Sequence, residues 1–188
     1  MEDKQKKTNK GLCEYAEAQL GRPYWYGTFG QKATEHLYDY NRKRFPRYYA
    51  SSDFPSQFGQ KVHDCVGLIK GYMWTLSHDS TSYEYQSHGM MDWSADILYE
   101  KCKRKSMVMA TMPDIPGLAV FMKGHVGIYV GNGEVIEARG HKYGVVRTKL
   151  NERKWQKWAY LDFIQYLEER KETKEEKILK KIKFVKKS

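Results

Sequence analysis

Between Gly124 and Ala138 the chain reads GHVGIYVGNGEVIEA. Apolar residues alternate with small or polar ones on both sides of a Gly-Asn-Gly. Period-two alternation around such a break commits the stretch to two antiparallel strands and a tight loop. Val126, Ile128 and Val130 share one face of the first strand, and Ile136 and Ala138 share one face of the second. A two-residue Asn132-Gly133 turn would set position 128 opposite 137 and mix Glu137 into the apolar face. A three-residue Gly131-Asn132-Gly133 loop sets 128 opposite 136 and brings the two apolar faces into agreement. That register is preferred, with Gly133 suited to the left-handed bulge position. His125 and Glu137 then become diagonal neighbours on the other face, about 7 Å apart. Glu137 is left with two readings, an orienting partner for the histidine or a solvent-facing carboxylate.

The same glycine-punctuated style runs from Pro113 to Leu150 and predicts strands at 118–122, 125–130, 134–138 and 145–149. Upstream the period changes. Gly11–Leu20, Cys65–Leu76 and Asp92–Lys103 carry apolar residues at helical spacing. The segment 30–63 is rich in Tyr, Phe, Pro and Ser without a clean period. It reads as an insertion, partly helical around Glu35–Lys43, and not as a domain of its own. Trp155–Leu167 closes the domain as a short strand or helix. Residues 1–10 read as a flexible basic arm and 11–167 as a single domain. Residues 168–188 form a lysine-rich tail whose last twelve residues hold six lysines and no acid. The tail's apolar stripe (Ile178, Leu179, Ile182, Val185) suits a solvated helix or an anchor for anionic surfaces.

The chain has 188 residues and a net charge of +10. No apolar run approaches the roughly 20 residues that span a bilayer. The start, MEDKQKKTNK, lacks an apolar signal-peptide core, which implies phage-type release or a lost leader. Basicity points to anionic partners: a wall polymer, a membrane surface or nucleic acid. The basic residues are scattered over the whole chain, so an anionic cell wall explains them without nucleic acid. Three cysteines, Cys13, Cys65 and Cys102, leave at least one thiol free and have no zinc-like spacing.

Cys13 and Cys102 fall inside helical patterns and read as small core residues. Cys65 opens a helix, where unpaired backbone N–H groups lower a thiol's pKa and favour the nucleophilic thiolate. Such a nucleophile needs a base that titrates near neutrality, which means histidine. His125, with Gly124 and Gly127 leaving space beside it, is the best placed of the six.

Taken together, Gly21-Arg-Pro-Tyr-Trp-Tyr-Gly27, Asp64-Cys65-Val-Gly-Leu-Ile69, Ile115-Pro-Gly-Leu-Ala-Val-Phe121 and the block from Gly124 to Ala138 resemble the NlpC-type cell-wall cysteine peptidases of bacterial autolysins and phage lysins. The resemblance covers roughly residues 11–167. It implies an α+β, papain-like fold: N-terminal helices, with the nucleophile at a helix start, packed on a small antiparallel β-meander. It implies a peptidoglycan hydrolase, a cysteine endopeptidase of the stem peptide, with a role for each matching position. Cys65 matches the nucleophile, His125 the general base and acid, and Glu137 the third polar residue, more often histidine in the family. Tyr24 matches a tyrosine that assists the oxyanion, and Asp64 an aspartate that helps hold the peptide stem. No metal or cofactor is implied, and the chain is expected to act as a monomer at the cell wall. The implied bond joins γ-D-glutamyl to a diamino acid, with the muramoyl–L-alanine amide as alternative. A catalytically silent module for anionic polymers is the reading outside enzymes. Val66 replaces the family's usual serine, so strict recognition of a free substrate N-terminus is not implied. Leu118 stands where an aspartate is common. His63 is either a substrate contact or a bystander, and His141 is a weaker rival for the third position.

Overall fold

A computed structural model describes residues 6–77 and 80–167. The N-terminal helix α1 (Asn9–Ala18) begins where the Thr8 hydroxyl accepts the Gly11 N–H, as a helix cap does. Residues 7–9, read from sequence as part of a flexible arm, are instead tied to the far end of the domain. The Lys7 carbonyl accepts the Gln165 N–H at 2.8 Å, and buried Asn9 bonds the Pro116 carbonyl and the Leu167 N–H.

The segment 30–63 is bracketed by strands β1 (Phe29–Lys32) and β2 (Lys61–His63), which pair antiparallel. Between them lie α2 (Glu35–Arg44) and two short proline-bearing 3-10 turns, Pro46–Tyr48 and Phe54–Gln57. These turns explain the missing period: each fixes a few residues and repeats nothing. Trp25, Ala33, Tyr49, Phe54 and Val62 fill a small core of their own beneath the insertion.

Helix α3 (Gly67–Trp74) is buried all round, and α4 (Ala95–Lys101) is capped by the Ser94 hydroxyl. Glycine at 67 is a steric requirement, because a Cβ there would stand 1.8 Å from the Thr28 carbonyl oxygen. The remaining strands are β3 (Lys105–Ser106), β4 (Ala119–Met122), β5 (His125–Gly131), β6 (Glu134–Ala138), β7 (Val145–Lys149) and β8 (Lys157–Ala159). They form one antiparallel sheet in the order β3-β8-β4-β5-β6-β7. The closing segment left open in the sequence is therefore a strand. Ile128 faces Ile136 and Gly131 faces Glu134, the register of the three-residue loop.

That register sorts the two faces of the sheet. Val126, Ile128, Ile136 and Ala138 pack into the main core with Leu12, Ile69 and other helix residues. On the opposite face Tyr129 and Val135 are covered by Trp155, Leu118 and Val120. The molecule thus has the α+β, papain-like layering expected of it, with helices on one face of a β-meander. Among the described residues no helix is long and apolar enough to cross a membrane. The tail from residue 168 lies outside the described residues.

Candidate active site

Cys65 lies two residues ahead of α3, and the turn that holds it is built by Asp64. The Asp64 carboxylate accepts the Gly67 N–H at 2.6 Å with one oxygen and the Gly27 N–H at 2.9 Å with the other. Its carbonyl accepts the Leu68 N–H, the first helical bond. Asp64 therefore caps the helix and pins the 21–27 turn at once. It is buried, and burial raises its pKa above the usual carboxylate value. Both oxygens of the residue assigned to the peptide stem are engaged by backbone.

Tyr24 is brought beside this turn by backbone pairing. It bridges His63, and His63 N–H donates to the Pro23 carbonyl. Burial, followed by the charges of Asp64 and Cys65, raises the Tyr24 pKa far above the ordinary phenol value. The hydroxyl is therefore a donor and not a phenolate at any ordinary pH.

The Cys65 sulfur lies 3.9 Å from the Gly124 carbonyl oxygen and within reach of the Val126 N–H. These are the residues on either side of His125, so the sulfur sits at the start of β5. The thiol is not lowered by its helix-start position, as the sequence suggested. Burial, and then the Asp64 charge, push it up to about 12, while the N–H groups of Val126, Val66 and Cys65 itself pull the other way. Desolvation of a thiolate outweighs three backbone dipoles here. Cys65 rests as a thiol, and its proton needs an acceptor.

His125 Nε2 makes a 2.6 Å bond to Glu137 Oε2. The imidazole stacks on Trp155 at 5.7 Å between centroids and 12° between planes. Glu137 is fully buried and not solvent-facing. It accepts a bond from the Thr148 hydroxyl at 3.0 Å and is gripped by Arg153 at 2.9 and 3.1 Å. Burial would raise its pKa, but the His125 bond and charge, with Arg153 and Thr148, hold it below the usual carboxylate value. Thr148, Arg153 and Trp155 were not anticipated. The β6–β7 pairing sets Val135 opposite Thr148 and Glu137 opposite Val146, so Thr148 shares the face of Glu137. That signal was available in the alternation of 145–149. Arg153 and Trp155 lie in irregular chain, where no period marks them.

Two other histidines are placed elsewhere. His141, the rival third residue, bonds Asp53 at 2.7 Å and stacks on Phe54, fastening the 139–144 turn to the insertion. His63 is wholly buried and bonded to the Tyr15 hydroxyl at 2.9 Å, so it is a packed interior group away from solvent. Burial first, then the charges of Lys61 and Arg22, depress its pKa to about 3. An unfolded chain takes up a proton at this histidine below pH of about 6.5, whereas the folded chain refuses it until pH about 3. The stability contributed is full above the unfolded pKa and is lost as pH falls through that window, by about 1.4 kcal/mol per pH unit. A pH series of melting temperatures should therefore fall from pH 6.5 toward 4.5, above the range where Glu137 titrates. A His63→Gln protein should lose that fall over the same window, and an equal fall in that variant would disprove the assignment.

Cys65 opens into a groove of about 650 Å³. One wall comes from the insertion, through Leu37, Tyr40 and Arg44 on α2 and Phe45 just beyond it. The other comes from Tyr83, Tyr85, Asp92 and Trp93. Among the described residues no three His, Cys, Asp or Glu side chains are grouped to hold a metal ion.

A thiol and a carboxylate-bound imidazole are brought to one strand start beside a groove, an arrangement of the kind that hydrolases working through a cysteine need. The profile of the NlpC/P60 family matches residues 21–163, and the chain belongs to that family, whose members are cell-wall hydrolases. Among solved structures it is similar to NlpC2 from Trichomonas vaginalis (16% identity, TM-score 0.49), covering 82% of this chain and 47% of that one. It is also similar to the NlpC/p60 domain of the peptidoglycan hydrolase SagA (15%, TM-score 0.47), covering 81% and 98%. The peptidoglycan hydrolase RipB from Mycobacterium tuberculosis is a third (18%, TM-score 0.47), covering 84% and 67%. The chain spans about half the length of the two Trichomonas vaginalis proteins, at 47% and 46%. No curated protein matches it.

Proposed function

We propose that this protein is a cysteine endopeptidase of the cell wall, acting on peptidoglycan stem peptides through Cys65, His125 and Glu137. The observation that carries the reading is the 2.6 Å bond from His125 Nε2 to a buried, ionised Glu137. A carboxylate at Nε2 keeps the proton on that nitrogen and leaves Nδ1 as the base. The Cys65 sulfur lies between the backbone groups that flank this histidine.

The chemistry follows from that tautomer. Nδ1 takes the Cys65 proton, and the thiolate bonds to the amide carbon. Negative charge moves to the carbonyl oxygen, where the Tyr24 hydroxyl and backbone N–H groups are the available donors. The C–N bond then breaks, and the imidazolium gives its proton to the departing amine. Water, deprotonated by His125, hydrolyses the thioester and restores the thiol. Glu137 stabilises the imidazolium throughout and keeps its own charge. No step calls on a metal or an organic cofactor.

The bond we assign joins γ-D-glutamyl to the diamino acid. A net charge of +10 favours residence on an anionic wall, and the lysine-rich tail fits the same attraction. We place the protein at the bacterial cell wall, in a phage-lysin or autolysin role, as a monomer. Digestion of purified peptidoglycan, with mass spectrometry of the new termini, tests the assignment. New γ-D-glutamyl carboxylates and diamino-acid amines are expected, in EDTA and not after iodoacetamide. New L-alanine amines with free muramoyl carboxylates would replace the bond with the amidase one. An intact wall together with a salt-dependent shift on DNA would overturn the peptidase reading altogether.

A further inference from the structure

Four charged side chains line the groove beside Cys65: Arg44, Asp64, Lys70 and Asp92. Three of them are neutralised or engaged within the protein. Asp64 gives both oxygens to backbone N–H groups. Lys70 and Asp92 form an ion pair, and the Tyr85 hydroxyl donates to the second Asp92 oxygen at 2.6 Å. Arg44 differs. It forms no ion pair among the described residues, and it acts on Asp92 only beyond ion-pair distance.

Arg44 is nevertheless held in place. It bonds the Tyr40 hydroxyl, and its guanidinium lies 5.1 Å from the Tyr40 ring centroid and 5.3 Å from that of Phe45. One terminal nitrogen is thus engaged by the Tyr40 hydroxyl, and the remaining N–H groups of the guanidinium are left for another partner. Position 44 ends α2, so this charge is supplied by the insertion. The groove therefore presents a guanidinium that is held by aromatic neighbours and has no ion-pair partner among the described residues. Its complement is a planar anion with two oxygens.

Resting on the peptidase reading above, we propose that Arg44 forms a carboxylate-recognition subsite, so that the preferred substrates are stem peptides with a free carboxylate near the cleaved bond and not their amidated forms. Stem peptides offer two such groups, the α-carboxyl of the γ-linked glutamyl residue and the carboxyl of the diamino acid. Amidating either converts the charged acceptor to a neutral amide, which a guanidinium binds far less well.

Binding can be measured on the Cys65→Ala protein, which separates recognition from turnover. The probes are three synthetic stem peptides: one with both carboxylates free, one amidated at the glutamyl α-carboxyl, one amidated at the diamino-acid carboxyl. Calorimetry should show the free peptide binding roughly ten-fold or more tightly than one of the amidated peptides. Adding Arg44→Gln should remove that difference, and Arg44→Lys, which keeps the charge but not the fork, should restore part of it. Arg44 is exposed at a helix end, so the fold is not at risk. Equal affinity for all three peptides, or a preference that survives Arg44→Gln, would overturn the subsite. Peptides that bind with the expected preference but are never cleaved by the unmodified protein would overturn the peptidase reading and leave the subsite standing.

Discussion

Replacing Cys65 by alanine should abolish wall hydrolysis and leave the folded protein intact. The thiol is half-buried at the groove edge, 3.9 Å from the Gly124 carbonyl oxygen, and anchors no other element of the fold by a short bond. Its removal should therefore cost no more than about 1 kcal/mol of stability. Cys13→Ala and Cys102→Ala should keep their activity, although Cys102 is buried and its loss leaves a small cavity. The three thiols make a sharper comparison than their positions suggest. Burial pushes each of them up to about 12, so none is intrinsically reactive at neutral pH. Rapid alkylation of Cys65 by iodoacetamide must then depend on His125 as the proton acceptor. Peptide mapping should find Cys65 labelled first in the unmodified protein and no cysteine labelled quickly after His125→Ala. Equal loss of activity from all three alanine variants, or fast Cys65 labelling without His125, would remove Cys65 as the nucleophile.

The parts of this site written in the sequence are those that a period or a spacing can carry. The strands β4 to β7 were readable from alternation, because each lays an apolar row on the core and a slip in register would expose it. The Ile128–Ile136 pairing in particular follows from matching two apolar faces, and it is what puts Glu137 beneath His125. The helix start at Cys65 was readable, but its electrostatics were not. The dipole effect depends only on local backbone, whereas desolvation depends on what the rest of the chain lays over the sulfur. The insertion was legible as an irregularity and nothing more. Its fold rests on 3-10 turns and on edge-to-face aromatic contacts around Trp25, which have no repeat to detect. Residues 7–9 read as a charged arm because their partners, Pro116, Gln165 and Leu167, lie at the other end of the chain.

The least legible element, Arg153, carries the second large effect. Glu137 is fully buried, so its charge depends on compensation from within the protein. His125 supplies a positive charge only when protonated; Arg153 supplies one permanently, through contacts at 2.9 and 3.1 Å. In an Arg153→Met protein the carboxylate loses its permanent partner while remaining out of water, and stability should fall by roughly 3–5 kcal/mol. In Glu137→Gln the cation left behind is still partly hydrated, with 21% of its side chain exposed, so the loss should be smaller. Combining the two removes both charges and should recover part of the Arg153→Met loss, an interaction energy that a double-mutant cycle of melting curves reads directly. Activity should follow a different order. Glu137→Gln leaves the imidazole without an anion at Nε2, and by analogy with other nucleophile–histidine–carboxylate sites the turnover rate should fall by about 10²-fold or more. Arg153→Lys keeps a charge near Glu137 without the two-pronged grip and should lie between Arg153→Met and the unmodified protein in both stability and rate. Purely additive stability changes would show that Arg153 and Glu137 do not act on one another. Full turnover in Glu137→Gln would show that the 2.6 Å bond orients nothing that the reaction uses.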